Sequence, residues 1–350
     1  MRSVFYFEKF YFTFVKCNTS LFLQIFTLLL KKTLHLINIV IALILQALDI
    51  IKVIKIKKGF NMKKKYLSES IMKYVFLVSA LTSIFAIVLI CFFIFGESMP
   101  FIKKVGLTNF IFGKNWAPVD VPAQFGILPM IIGSIYVTIG SIIIGVPIGI
   151  FTAIYLAKFC PKKLYNFLRP CIDLMAGIPS IVYGFFALVV IVPMIRKAFG
   201  GTGMNIVTAS ILLGIMILPT IITLSESAIN TVVDSYYEGS IALGASHELA
   251  VMGVVVPAAK SGILSSVILG IGRAIGETMA VYLVAGNQPI IAKSIFSGTR
   301  TMTTNIVLDM AYASGAHRDA LIATAMVLFV FILLINLIFN LIKRGVNNGK

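Results

Sequence analysis

Six apolar stretches, near residues 74–95, 128–157, 171–193, 206–229, 259–286 and 319–342, are each long enough to cross a bilayer, a crossing that takes about 20 residues of helix. In hydrocarbon the backbone must satisfy its own polar groups, which a helix does within one segment. The fold class that follows is an all-α polytopic membrane protein with six transmembrane helices. Composition agrees, because 59% hydrophobic residues against 12% charged ones is too apolar for a soluble domain. A formal charge of +17 would point a soluble chain toward nucleic acid. Here most Lys and Arg lie between the apolar runs, where they set orientation in the membrane, so the expected partner is the lipid bilayer and not nucleic acid. Cys17, Cys91, Cys160 and Cys171 show neither metal-ligand nor paired spacing and read as packing residues.

Six spans place both termini on one side. Lys63, Lys64, Lys65 and Lys73 precede the first span; Lys158, Lys162, Lys163 and Arg169 fill the second connection; Lys343 and Arg344 follow the last. The positive-inside rule makes these segments, and with them both termini, cytoplasmic. The first span ends in Gly96-Glu97-Ser98-Met99-Pro100, without a cleavage site, and reads as an uncleaved helix. Residues 1–61 are basic, and their apolar pattern is broken by Lys31, Lys32, His35, Asn38 and Gln46. They read either as a basic amphipathic helix on the membrane surface or as an extension that does not belong to the natural protein. The second is favoured, because Met62-Lys63-Lys64-Lys65 resembles the start of an inner-membrane protein and the codons of Lys57-Lys58-Gly59 form a purine-rich run just upstream. The expected organisation is this extension, a first helix with an external segment over 62–126, a transmembrane domain over 127–343 carrying a cytoplasmic loop at 231–257, and a tail at 344–350.

Several features inside the spans carry more than hydropathy. Trp116, in the external segment, is placed to anchor at the headgroup level. Gly145-Val146-Pro147-Ile148-Gly149 lets a neighbouring helix come close. Pro179, behind Gly177, predicts a break of the third span at membrane depth, and Pro219 invites a weaker form of the same expectation in the fourth. Broken membrane helices either line a substrate site, which would draw Ser180 and Tyr183 into the pathway, or merely bend to pack. On the fifth span Arg273 and Glu277 stand four residues apart and so share a helical face. They read as pathway residues, the Arg fork suited to phosphate or carboxylate oxygens, or as a buried salt bridge. Gly272 and Gly276 add a small-residue face for close packing. In the cytoplasmic loop, Ser235 and Glu238 have the spacing of a capping box. The short, half-apolar helix they would start needs a partner groove.

Glu238, Gly244 and Pro257 in that loop resemble the EAA loop of ATP-binding cassette (ABC) importer permeases, although Gly239 and Ser240 stand where two alanines are usual. The resemblance implies a type I ABC importer permease fold, with the loop as a coupling helix docked on an ATPase. Gly270-Ile271-Gly272-Arg273-Ala274-Ile275-Gly276-Glu277-Thr278-Met279-Ala280-Val281, together with Ile178-Pro179-Ser180-Ile181-Val182-Tyr183-Gly184 and Phe125-Gly126-Ile127-Leu128-Pro129, is similar to the membrane subunits of the phosphate-specific transport (Pst) system. The run Glu277 to Val281 looks like its C subunit. This resemblance covers roughly residues 66–343. It implies a permease in a bacterial inner membrane that works with a sister permease of A type, two copies of a cytoplasmic ATPase and an external phosphate-binding protein. Arg273 and Glu277 would be implicated in phosphate movement.

The chain has no G-x-x-x-x-G-K-[ST], so ATP hydrolysis belongs to a partner. No metalloenzyme cluster and no Gly-x-Ser-x-Gly suggests an enzyme, and no cofactor of its own is expected. A permease for molybdate, sulfate or phosphonate is the alternative within the class, and a self-sufficient secondary transporter the alternative outside it.

Overall fold

The computed structural model describes residues 63–348, so the expected extension over 1–61 lies outside the described residues. Contacts divide the chain into one unit ending at Ile87 and a second beginning at Val88. The described part of the first is the start of helix α1 (Lys63–Val105). All packing described below belongs to the second.

After α1 come a short helix α2 (Leu107–Phe112) and a hairpin of β1 (Trp116–Ala117) with β2 (Gln124–Phe125), Trp116 pairing with Phe125. Helix α3 (Leu128–Ile154) runs on through a π turn to Phe159. The amphipathic α4 (Lys162–Gly177) is followed by α5 (Ser180–Phe186), which continues through a second π turn into α6 (Val192–Phe199). Helix α7 (Ile206–Asn230) leads to α8 (Asp234–Ala242) and α9 (His247–Ala250). A third π turn and α10 (Val256–Ala258) meet α11 (Lys260–Gly276) at an elbow of 67°. Helices α12 (Met279–Val284), α13 (Met302–Asp309) and α14 (Ala316–Asn348) complete the described residues.

Among the described residues, five helical segments are long and apolar enough to cross a membrane, Met72–Val105, Leu128–Phe159, Ser180–Phe199, Ile206–Asn230 and Ala316–Phe339, and the bent pair His247–Ala258 with Lys260–Gly276 makes a sixth. Three expectations shift. The third span begins at Ser180, not near 171, because the residues before it belong to α4, whose Arg169 and Asp173 keep it amphipathic. The predicted break therefore opens the span instead of interrupting it. Helix α7 runs unbroken through the buried Pro219, and the fifth span stops at Gly276.

The core is built on α3 against α7, the most extensive helix pairing among the described residues. Lipid offers little hydrophobic drive between helices, so close packing must supply the stability. The Gly145–Gly149 motif provides it: a Cβ on Gly145 would lie 2.8 Å from the Gly214 carbonyl oxygen, and one on Gly149 2.8 Å from Ile221 Cγ2. Val137, Leu212, Leu213, Ile217 and Ile221 are buried around this seam.

A second cluster packs Phe101, Phe110, Trp116, Ile127 and Met130 against Met302 and Leu321. Trp116 is buried, edge-on to Phe125, and its Nε1 donates to Asp309 Oδ2 at 3.3 Å. It is a packing residue and not a headgroup anchor, because the hairpin turns the indole toward α13 and α14. Arg300 and His317 also approach Asp309 Oδ2, each at 3.5 Å. Burial lowers the pKa of Arg300, against the opposing pull of Asp309.

Candidate functional site

Helix α11 ends at Gly276, Glu277 is extended (φ −69°, ψ 132°), and α12 begins only at Met279. Arg273 lies in the last helical turn and Glu277 lies outside it, so the two do not share a helical face as their spacing suggested. They form no ion pair within 4.0 Å; the four ion pairs among the described residues lie elsewhere. Arg273 is exposed, and its Nη1 donates to Thr220 Oγ1 at 3.4 Å. The half-buried Glu277 accepts at Oε1 from the Ala280 amide at 3.4 Å, and its main-chain oxygen accepts from Thr303 Oγ1 at 3.1 Å. Glu277 also lines a small cavity with Ser134, Thr138 and Thr301. A Cβ on Gly272 or Gly276 would meet nothing within 4 Å, and Leu269 is 56% exposed. The small-residue face expected to pack closely is uncovered among the described residues.

The other break lies between α4 and α5, where Ile178 and Pro179 are extended. Proline disfavours helical geometry in the residue before it and lacks an N–H to continue the ladder. Tyr183 is buried and bridges the gap, its hydroxyl donating to the Met175 carbonyl at 2.9 Å. Ser180, at the first position of α5, is half-buried, and its hydroxyl makes no hydrogen bond among the described residues. Helix α5 then packs on α12, where a Cβ on Gly184 would lie 2.7 Å from Leu283 Cδ1 and 3.1 Å from Ala280 Cα. The segments that follow the two breaks are thus in direct contact.

The loop residues form a third group. Helix α8 has Val233 as its N-cap, with no side-chain cap, so Ser235 lies inside the first turn and the predicted capping box does not form. A box would need Ser235 itself at the N-cap. The C-terminus is closed firmly: Gly244, at φ +90°, donates to the Ile241 carbonyl at 2.9 Å, and the Ala245 amide donates to the Ser240 carbonyl at 3.1 Å. This is a Schellman motif, which places a left-handed residue, usually glycine, just past the helix. Glu238 is exposed without an ion pair, and Pro257 is exposed just before the elbow. Val233, Tyr236, Leu243, Leu249 and Met252 expose apolar surface, Leu243 to 91%. His247 ties this surface to the end of the α3 segment, its Nε2 donating to the Lys158 carbonyl (3.1 Å) while Nδ1 accepts from Tyr237 (2.9 Å).

Residues 145–348 match the family described as binding-protein-dependent transport system inner membrane component. The chain belongs to this family of transport permeases. It is 39% identical over 241 residues to the probable ABC transporter permease protein YqgH of Bacillus subtilis, covering 67% of this chain and 78% of that protein. It is 32% identical over 263 residues to the phosphate transport system permease protein PstC of Mesorhizobium japonicum, covering 69% and 80%. Among solved structures, a bacterial alginate ABC transporter in complex with a periplasmic protein superposes with a TM-score of 0.55 at 17% identity, covering 81% of this chain and 97% of that one. The fold is that of a type I ABC importer permease.

In this permease fold one polar site escaped sequence reasoning. Glu226, on α7, is 3% exposed. Its Oε1 accepts from Tyr165 Oη at 2.8 Å, and its Oε2 pairs with Arg169 Nη1. Arg169 also forks onto Asp173 one turn along, with Nη2 to Oδ1 and Nε to Oδ2 both at 3.3 Å. Desolvation alone would lower the Arg169 pKa; the facing Glu226 and Asp173 carboxylates raise it. The hydrogen bond to Glu226 holds the Tyr165 phenol above its ordinary value. The available signal was Glu226 itself, a carboxylate near the end of an apolar run, which demands a partner.

Proposed function

We propose that this chain is the membrane permease subunit of an ATP-driven inorganic phosphate importer, forming half of the translocation path and coupling to a cytoplasmic ATPase. The observation that carries the reading is Arg273: an exposed guanidinium without a carboxylate partner, on an uncovered face beside a broken helix. Facing lipid, such a charge would cost about 2.5–3.5 kcal/mol on insertion scales, so the face needs protein or water over it. A sister permease of A type laid against Leu269, Gly272 and Gly276 closes a path with Arg273 inside. The guanidinium fork suits phosphate oxygens. Glu277 accepts a hydrogen bond from a protonated phosphate oxygen and disfavours a fully ionised one. Ser180 offers its hydroxyl at the neighbouring break, and Tyr183 keeps that break open by holding Met175. The PstC relatives, named as phosphate transport permeases, support phosphate as the ion.

Glu238, Gly244 and Pro257 belong to the ATPase-coupling loop, whose exposed apolar side chains suit a groove on one of the two ATPase copies. ATP binds there and not on this chain. An external phosphate-binding protein delivers the ion, and both termini face the cytoplasm of a bacterial cell. The test is reconstitution of the permease with its sister, ATPase and binding protein in liposomes. ATP-dependent uptake of labelled phosphate, and not of sulfate or molybdate, is expected. Uptake of another oxyanion in its place would move the chain to the alternative substrate, and uptake by the permease alone along an ion gradient would overturn the class.

A further inference from the structure

We infer that the Arg169–Glu226 pair, with its carboxylate buried and its guanidinium half-buried, is a positioning contact for transport, carrying movement of the coupling loop to the break at Ile178–Pro179. The inference rests on the reading of this chain as an ATP-driven permease. Glu226 stands eight residues before Asp234, where α8 begins, and α7 reaches that loop through Thr231, Val232 and Val233 alone. On the other side of the pair, Arg169 and Tyr165 sit on α4, which ends at Gly177 immediately before the break. The Tyr183 bond to Met175 then fixes the last turn of α4 to α5 beyond the gap. A continuous physical connection therefore runs from coupling loop to α7, through Glu226 to α4, and across the break to the segment packed on α12.

The polar contact is specific where the apolar one beside it is not. Ile172 and Leu168 rest on Ala153, Leu156 and Ile222, a contact that tolerates sliding. Glu226 has both carboxylate oxygens taken, and Arg169 is oriented by its second fork to Asp173, so α4 has a defined register against α7. An ion pair of this kind is weak evidence for stability; what it adds here is direction, and Arg supplies that better than Lys because its fork is planar.

The experiment uses the reconstituted complex, with Glu226→Gln, Arg169→Lys and Tyr165→Phe compared with wild type. It measures ATP hydrolysis stimulated by the phosphate-loaded binding protein and phosphate moved per ATP, both normalised to assembled complex. The positioning role predicts that Glu226→Gln assembles and hydrolyses ATP while phosphate moved per ATP falls about tenfold. Arg169→Lys and Tyr165→Phe should show smaller losses, and Arg169→Glu with Glu226→Arg should restore part of the ratio. If Glu226→Gln fails to assemble, Tyr165→Phe and Arg169→Lys decide on the same ratio. An unchanged ratio in the variants that assemble, whether or not their amount falls, overturns the inference and leaves a merely structural pair. Failure of the phosphate reading is distinguishable, since wild type would then move no phosphate at all.

Discussion

Gly184 is the point where the segments beyond the two breaks touch, and replacing it with alanine tests that contact quantitatively. The added Cβ would sit 2.7 Å from Leu283 Cδ1 and 3.1 Å from Ala280 Cα, against about 3.5–4.0 Å for carbon atoms at rest. Leu283 can rotate away, but Ala280 Cα is backbone, so α5 and α12 must part. Overpacking of this kind costs about 1–3 kcal/mol. Working against it, alanine in place of glycine inside a helix gains about 1 kcal/mol. Gly272→Ala supplies the control, because that Cβ meets nothing within 4 Å of this chain. The helix term is common to both, so Gly184→Ala should be less stable than Gly272→Ala by about 1–3 kcal/mol. The assay is denaturant-driven unfolding of the purified permease in detergent. Equal midpoints for the two variants would refute the close approach of α5 and α12.

Two further outcomes follow. Gly244→Ala places a Cβ at φ +90° in open space, so its cost is purely conformational, about 1–2 kcal/mol; it should leave membrane levels unchanged while lowering ATPase co-purification or uptake, and normal values of both would contradict the coupling role. A chain beginning at Met62 should insert and transport like the full sequence, as the broken apolar pattern of 1–61 suggests, and loss of insertion on that truncation would contradict it.

The spans were legible because apolar length is a direct physical demand of the bilayer, and the break at Ile178–Pro179 was legible because proline removes a donor and restricts its predecessor. The break after Gly276 was not. Nothing in Gly276-Glu277-Thr278 forbids helix, and spacing alone makes Arg273 and Glu277 look like neighbours on one face; the chain leaves the helix where a local bond from the Ala280 amide and a tertiary one from Thr303 meet the extended Glu277. Pro219 erred in the other direction, since a buried helix tolerates the loss of one hydrogen bond when its neighbours hold it straight. Ser235 and Glu238 matched a capping pattern, but the helix starts earlier, at Asp234. Among site residues the largest omission was Glu226 with Arg169 and Tyr165. These lie 57 and 61 positions from Glu226 in sequence, and Arg169, among the lysines of a connection, reads as an orientation signal.

The most direct measurement of the central claim is phosphate uptake by Arg273→Gln, Glu277→Gln and the double variant at matched membrane levels in the reconstituted importer, with Arg273→Lys beside them. A pathway role predicts that Arg273→Gln loses nearly all uptake, that Arg273→Lys keeps some because the charge remains without the fork, and that the double variant stays inactive. Were the two residues instead a structural pair in the working complex, removing both charges would be milder than removing one, and restored uptake in the double variant would contradict the account.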